Sequence, residues 1–171
     1  MKLGEAMSLV EGKTYQNNAY QCYAACHLAL LRGKYRTCVL GSGQGKSWII
    51  ILLANYLVMH KSAPEVVILT TSKLVASQLR SDLELHLPDY CGTKIKVYLL
   101  KNTLELYEHA HPKAALIFDE ADEIMEKYMF ALTDSGEIDG LADIGQRTAY
   151  FFTATLNVYF KKAAKIVFDD P

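Results

Sequence analysis

Six short runs of this 171-residue chain are apolar almost from end to end, and stretches of helical character separate them. The runs are RTCVL (36–40), EVVILT (65–70), IKVYLL (95–100), AALIFD (114–119), TAYFFT (148–153) and KIVF (165–168). A strand with one wet face alternates apolar and polar residues, whereas a strand apolar at consecutive positions is buried on both faces. The helical stretches cover 15–31, 46–60, 72–87, 103–109 and 121–132. Strand and helix in alternation predict an α/β fold, a doubly wound and mainly parallel sheet with helices on both faces. The length suits one hydrophobic core, so 14–171 reads as a single domain behind a flexible lead-in over 1–13.

A sheet of this kind binds its ligands beyond the carboxyl ends of its strands, so the residues that follow each strand matter most. After the first strand comes GSGQGKS (41–47), and KSWIIILLANYL then continues as a helix. Gly41, Gly43 and Gly45 let the backbone curl with its N–H groups inward, with no Cβ in the way of approaching oxygens. The following helix adds the positive end of its dipole. The strand, loop and helix therefore match a phosphate cradle: Ser42, Gly43, Gln44 and Gly45 line it, Lys46 reaches the β- and γ-phosphates, and Ser47 ligates magnesium. The alternative is a glycine-rich turn that merely opens a core helix.

The run AALIF ends in Asp119-Glu120, which places two carboxylates at the same edge of the sheet. Phosphoryl transfer from ATP to water needs a metal ligand and a group that orients or deprotonates the water. Asp119 suits the first task, directly or through metal-bound waters, and Glu120 the second. Acidic residues are also common at a helix start for the sake of its dipole alone.

In chain order, LGSGQGKS (40–47), VVILTTSKLVASQ (66–78), Asp119-Glu120-Ala121-Asp122 and Thr153-Ala154-Thr155 resemble motifs of the DEAD-box helicases of superfamily 2. The resemblance covers nearly the whole chain. It implies a RecA-like ATPase domain that uses ATP and magnesium, the first of two lobes, with RNA or DNA as the material acted upon. A second lobe, in cis or in trans, would supply an arginine finger. By the same resemblance, Thr153 and Thr155 couple hydrolysis to movement, and Gln21 recognises adenine. A polar strand end and a solvated helix residue are the other readings of these positions. The same segments also resemble the motifs of the SecA protein-translocation motor. A nucleotide-dependent binding switch with little turnover is a third possibility.

Composition narrows the partners. A formal net charge of −1 argues against a strongly basic nucleic-acid binder, so nucleic acid as a partner rests on the resemblance. Cys22, Cys26, Cys38 and Cys91 show no paired framework, which suits a cytoplasmic or other reducing compartment. Cys22, Cys26 and His27 have metal-binding side chains at helical spacing, but burial of two small hydrophobes explains the cysteines better. The apolar stretch from Trp48 to Met59 holds Asn55 and falls short of the ~20 residues of a membrane span. Trp48 reads as core, His109 and His111 as an exposed loop, and Arg80 and Arg147 as surface arginines.

Overall fold

The computed structural model describes residues 19–41, 43–60, 62–99, 109–124 and 147–154. Its strands are β1 (Tyr35–Val39), β2 (Val66–Thr70), β3 (Ile95–Leu99), β4 (Ala115–Phe118) and β5 (Thr148–Thr153). Its helices are α1 (Ala19–Leu30), α2 (Lys46–Met59) and α3 (Lys73–His86), and residues 121–124 form a further helical turn. These elements lie within a residue of the expected bounds, except that α1 is described only from Ala19. The lead-in, the strand at 165–168, nearly all of the helix at 103–109 and most of that at 121–132 lie outside the described residues.

All five strands pair in parallel, in the order β1-β5-β4-β2-β3. Strand β5, late in the chain, is thus inserted between β1 and β4. The ladder runs past the strand ends, with Leu40 N donating to Thr153 O at 2.9 Å and Asp119 N to Leu69 O at 2.9 Å. As a result, the loops after β1 and β4 emerge at one edge with a single strand between them. Crossovers in both directions from such a point open the crevice in which open α/β sheets place ligands.

Alternation along the strands divides the core. Val66, Ile68, Ile95, Val97, Ala115, Ile117, Tyr150 and Phe152 pack on one face with Cys22 and Ala25 of α1, α2, and Leu79 and Leu83 of α3. The opposite face carries Val67, Leu69, Leu116, Phe118, Ala149 and Phe151, all buried as well. There Phe118 stacks on Phe151, with centroids 5.0 Å apart and planes 15° apart. Burial on both faces is what the uninterrupted apolar runs require. Helix α2 is buried at every position from Ile49 to Val58, as a helix that is apolar all round must be. Helix α3 is one-sided: Ala76, Leu79 and Leu83 face inward, and Ser72 caps it by accepting from Val75 N at 3.4 Å.

The amino-terminal edge of the sheet is tied together by charge. Glu65 accepts from Lys96 Nζ at 2.6 Å and from His111 N at 2.7 Å. Arg147 is buried, contrary to the surface position expected of it. Its Nε donates to His111 O at 3.2 Å and an Nη to Ala110 O at 3.0 Å, which secures the loop into β4. Arg80, on the exposed side of α3, donates to Val97 O at 2.7 Å. His109 and His111 are exposed, as expected. Cys22 and Cys26 lie in the core while His27 points outward and stacks on Tyr23, so the three do not converge.

Candidate functional site

The site is built at the carboxyl edge from the loops after β1, β2 and β4. Gly43 and Gly45 hold φ of 78° and 75°, in the left-handed region where glycine carries no Cβ penalty. Gly45 stands at the N-cap of α2 and has no side chain to cap the first N–H groups of the helix, the end at which helices attract anions. A side chain at Gly45 would also collide with Gln21 Nε2, because the α1 carboxamide lies directly against this glycine. Leu40 is 4% exposed and belongs to the core beneath the loop, which gives a physical reason for an apolar residue there.

Lys46, in the first turn of α2, reaches across the end of β5 to Asp119, with Nζ 3.4 Å from Oδ1. The Asp119 side chain is 3% exposed. Burial pushes its carboxyl above the usual carboxylate range, opposed by the Lys46 ammonium and by the Glu120 N–H, which donates to Oδ1 at 3.0 Å. A buried carboxylate with one cation against it suits a second positive charge.

Glu120 has φ of 56°, the single positive value among the described non-glycine residues. Holding a glutamate there costs about 1–3 kcal/mol, and such residues cluster at functional sites. Its carboxylate lies near Thr71, whose Oγ1 is 3.5 Å from Oε2. Burial first, then the negative charges of Asp119 and Glu123, raise its carboxyl above the usual range. That direction suits a group that accepts a proton.

Of the residues singled out from sequence, Gln21, Gly43, Gln44, Gly45, Lys46, Asp119, Glu120 and Thr153 therefore gather at one edge. Ser47 is exposed in the first turn of α2, and Thr153 is fully buried at the end of β5. Ser42 and Thr155 lie outside the described residues. Sequence reasoning missed Thr71 and Glu123, which join by a hydrogen bond of 2.9 Å beside Glu120. Thr71 follows a strand and Glu123 stands three positions after Glu120, but neither placing sets them apart in the sequence. Trp48 packs on the core, edge-on to His86 with centroids 5.0 Å apart.

The donor set fits magnesium with a nucleotide. Magnesium is usually held by one or two carboxylates together with substrate phosphates and water, not by a cage of protein ligands. Asp119 and the Ser47 hydroxyl offer such a partial set, and no cluster of three acidic, histidine or cysteine ligands occurs among the described residues. None of the described helices is long and apolar enough to cross a membrane.

No family model matches the chain, and none of the curated protein sequences does. Solved structures do. The Sulfolobus solfataricus SWI2/SNF2 ATPase core in complex with dsDNA superposes with a TM-score of 0.67 at 12% identity, over 93% of this chain and 37% of that one. The yeast DEAD-box splicing factor Prp28 gives 0.64 at 13% identity, over 95% and 47%. T4 UvsW gives 0.58 at 14% identity, over 94% and 36%. The chain thus spans less than half the length of each. The five described strands, all parallel, and the helices packed on them make the fold of a RecA-like domain, and in that fold the chain is similar to these three structures.

Proposed function

We propose that the chain is the ATP-binding and ATP-hydrolysing lobe of a helicase-like motor that acts on nucleic acid when complete. The observation that carries this reading is the 3.4 Å pairing of Lys46 with Asp119, which brings the phosphate loop and the acidic turn to one point. In this reading Gly43, Gln44, Gly45 and the first N–H groups of α2 bind the phosphates, and Ser42, by its place in the sequence, joins them. Lys46 exchanges Asp119 for the terminal phosphate oxygens, and Gln21, against the loop, binds the nucleotide. Ser47 and Asp119 hold magnesium, which supplies positive charge at the phosphates when bound. Glu120 orients a water and takes its proton. Thr153 and Thr155 pass the change at the phosphates to the neighbouring loops.

Each similar structure is more than twice as long as this chain's share of it, which supports a second lobe, in cis or in trans, as the remainder of the motor. Nucleic acid as the partner is supported by the dsDNA in the SWI2/SNF2 complex. The free cysteines suit a reducing compartment such as the cytoplasm. The test is ATP turnover with magnesium, with and without single-stranded RNA or DNA. Glu120→Gln should lower turnover at least about 100-fold while keeping ATP affinity. Turnover that this variant leaves unchanged contradicts the assignment.

A further inference from the structure

One side chain closes the phosphate loop on itself. Gln44 N donates to Gly41 O at 3.3 Å, and Gln44 Oε1 accepts from Gly41 N at 3.1 Å. Both backbone polar groups of Gly41 are thus engaged by the same residue. The carboxamide is folded over the glycine, its Cδ, Nε2 and Oε1 lying 3.6, 3.7 and 3.8 Å from the place of a Gly41 Cβ. Gln44 is nonetheless exposed, so these contacts hold a long, rotamer-rich side chain that would otherwise be free to move. A phosphate cradle works by turning successive backbone N–H groups toward the anion. Here the Gln44 N–H is donated to Gly41 O, inside the loop, and is not free for an anion.

We propose that Gln44 is a positioning residue that latches this loop on itself, and that the phosphates of a nucleotide must displace its carboxamide and recover its N–H. The inference rests on reading this loop as the ATP site. A ligand that binds only the unlatched loop has its affinity reduced by the latched fraction, and removing the latch removes that reduction. The gain falls on association, because the latch is already gone in the bound state.

The test uses the whole chain and ADP or inorganic pyrophosphate as probes, so it does not depend on hydrolysis. Gln44→Met keeps the length of the side chain and the backbone N–H but loses the acceptor, and Gln44→Ala removes both bulk and acceptor. Both should bind about three- to tenfold tighter than the unsubstituted chain, the worth of one net hydrogen bond, through a faster association rate. Affinity unchanged or lowered in both variants overturns the latch and leaves the phosphate-loop reading standing. Tightening in Gln44→Ala alone, or through slower dissociation alone, also overturns it. If neither the unsubstituted chain nor either variant binds ADP or pyrophosphate, the phosphate-loop reading fails and the latch fails with it.

Discussion

Thr71 donates to Glu123 across a 2.9 Å hydrogen bond, and the same hydroxyl lies 3.5 Å from Glu120 Oε2. The end of β2 is thereby tied to the acidic turn after β4. A hydroxyl carries one proton, so the two carboxylates compete for it, and the shorter contact goes to Glu123. In the proposed function Glu120 keeps its lone pairs for a water, and the longer contact with Thr71 helps to set where its carboxylate rests. Thr71→Val should lower the turnover number about three- to tenfold with KM for ATP unchanged, and Thr71→Ser should restore it. Steady-state phosphate release measures both. A rise in KM with an unchanged turnover number would mean that Thr71 acts in binding.

Gly45→Ala strains the backbone of the loop. The left-handed φ of 75° costs an alanine about 1–2 kcal/mol, and its Cβ would push aside the flexible end of the Gln21 side chain at little further cost. The variant should unfold at lower urea, and adding Gln21→Ala should recover little of the loss. Full recovery in the double variant would mean that the Gln21 carboxamide, and not the backbone, carries the cost.

The elements, and the sheet edge at which Lys46 meets Asp119, were legible in the sequence, because uninterrupted apolar runs such as VVIL leave few alternatives to a buried parallel strand. The strand order was not. Nothing in TAYFFT says that β5 inserts between β1 and β4, since that is settled by which faces fit together late in the chain. Lys46 and Asp119 were legible because a glycine-rich turn and a post-strand carboxylate carry local signals. Thr71 and Glu123 carry none, for a threonine after a strand and a glutamate on a helix are ordinary until the fold brings them together. Arg147 was misread for a related reason. Arginines are mostly exposed, and its burial depends on two carbonyls of the distant loop at Ala110 and His111.

Asn55 interrupts a helix that is otherwise apolar and buried. It is 3% exposed, and its Oδ1 is buried with no hydrogen-bond partner among the described residues. A buried acceptor left unpaired costs about 1–3 kcal/mol, and an apolar group of similar shape avoids that cost. Asn55→Leu should therefore stabilise the chain by about 1 kcal/mol, seen as a higher urea midpoint with an unchanged slope. A lower midpoint would show that the carboxamide is held by a partner.

The pairing of Lys96 with Glu65 predicts a pH dependence of defined sign. The hydrogen bond to Glu65 raises the Lys96 ammonium above its ordinary value, against a smaller opposing effect of burial. A lysine raised in the folded state contributes stability that is fully present below its unfolded value, about 10.4, and is lost as pH rises through the folded value. The stability difference between the unsubstituted chain and Lys96→Met should thus be constant from neutral pH to about 10 and shrink above that. A difference that grows with pH would contradict the assignment.

In the proposed function the loop after β1 binds the phosphates of ATP through Lys46 and its backbone, next to Asp119. Calorimetric titration of the chain with ATP and magnesium, beside Lys46→Ala, tests it most directly. The account predicts saturable binding to one site, lost in Lys46→Ala while that variant keeps the far-ultraviolet spectrum of the parent. Equal ATP affinity in the two proteins would contradict it.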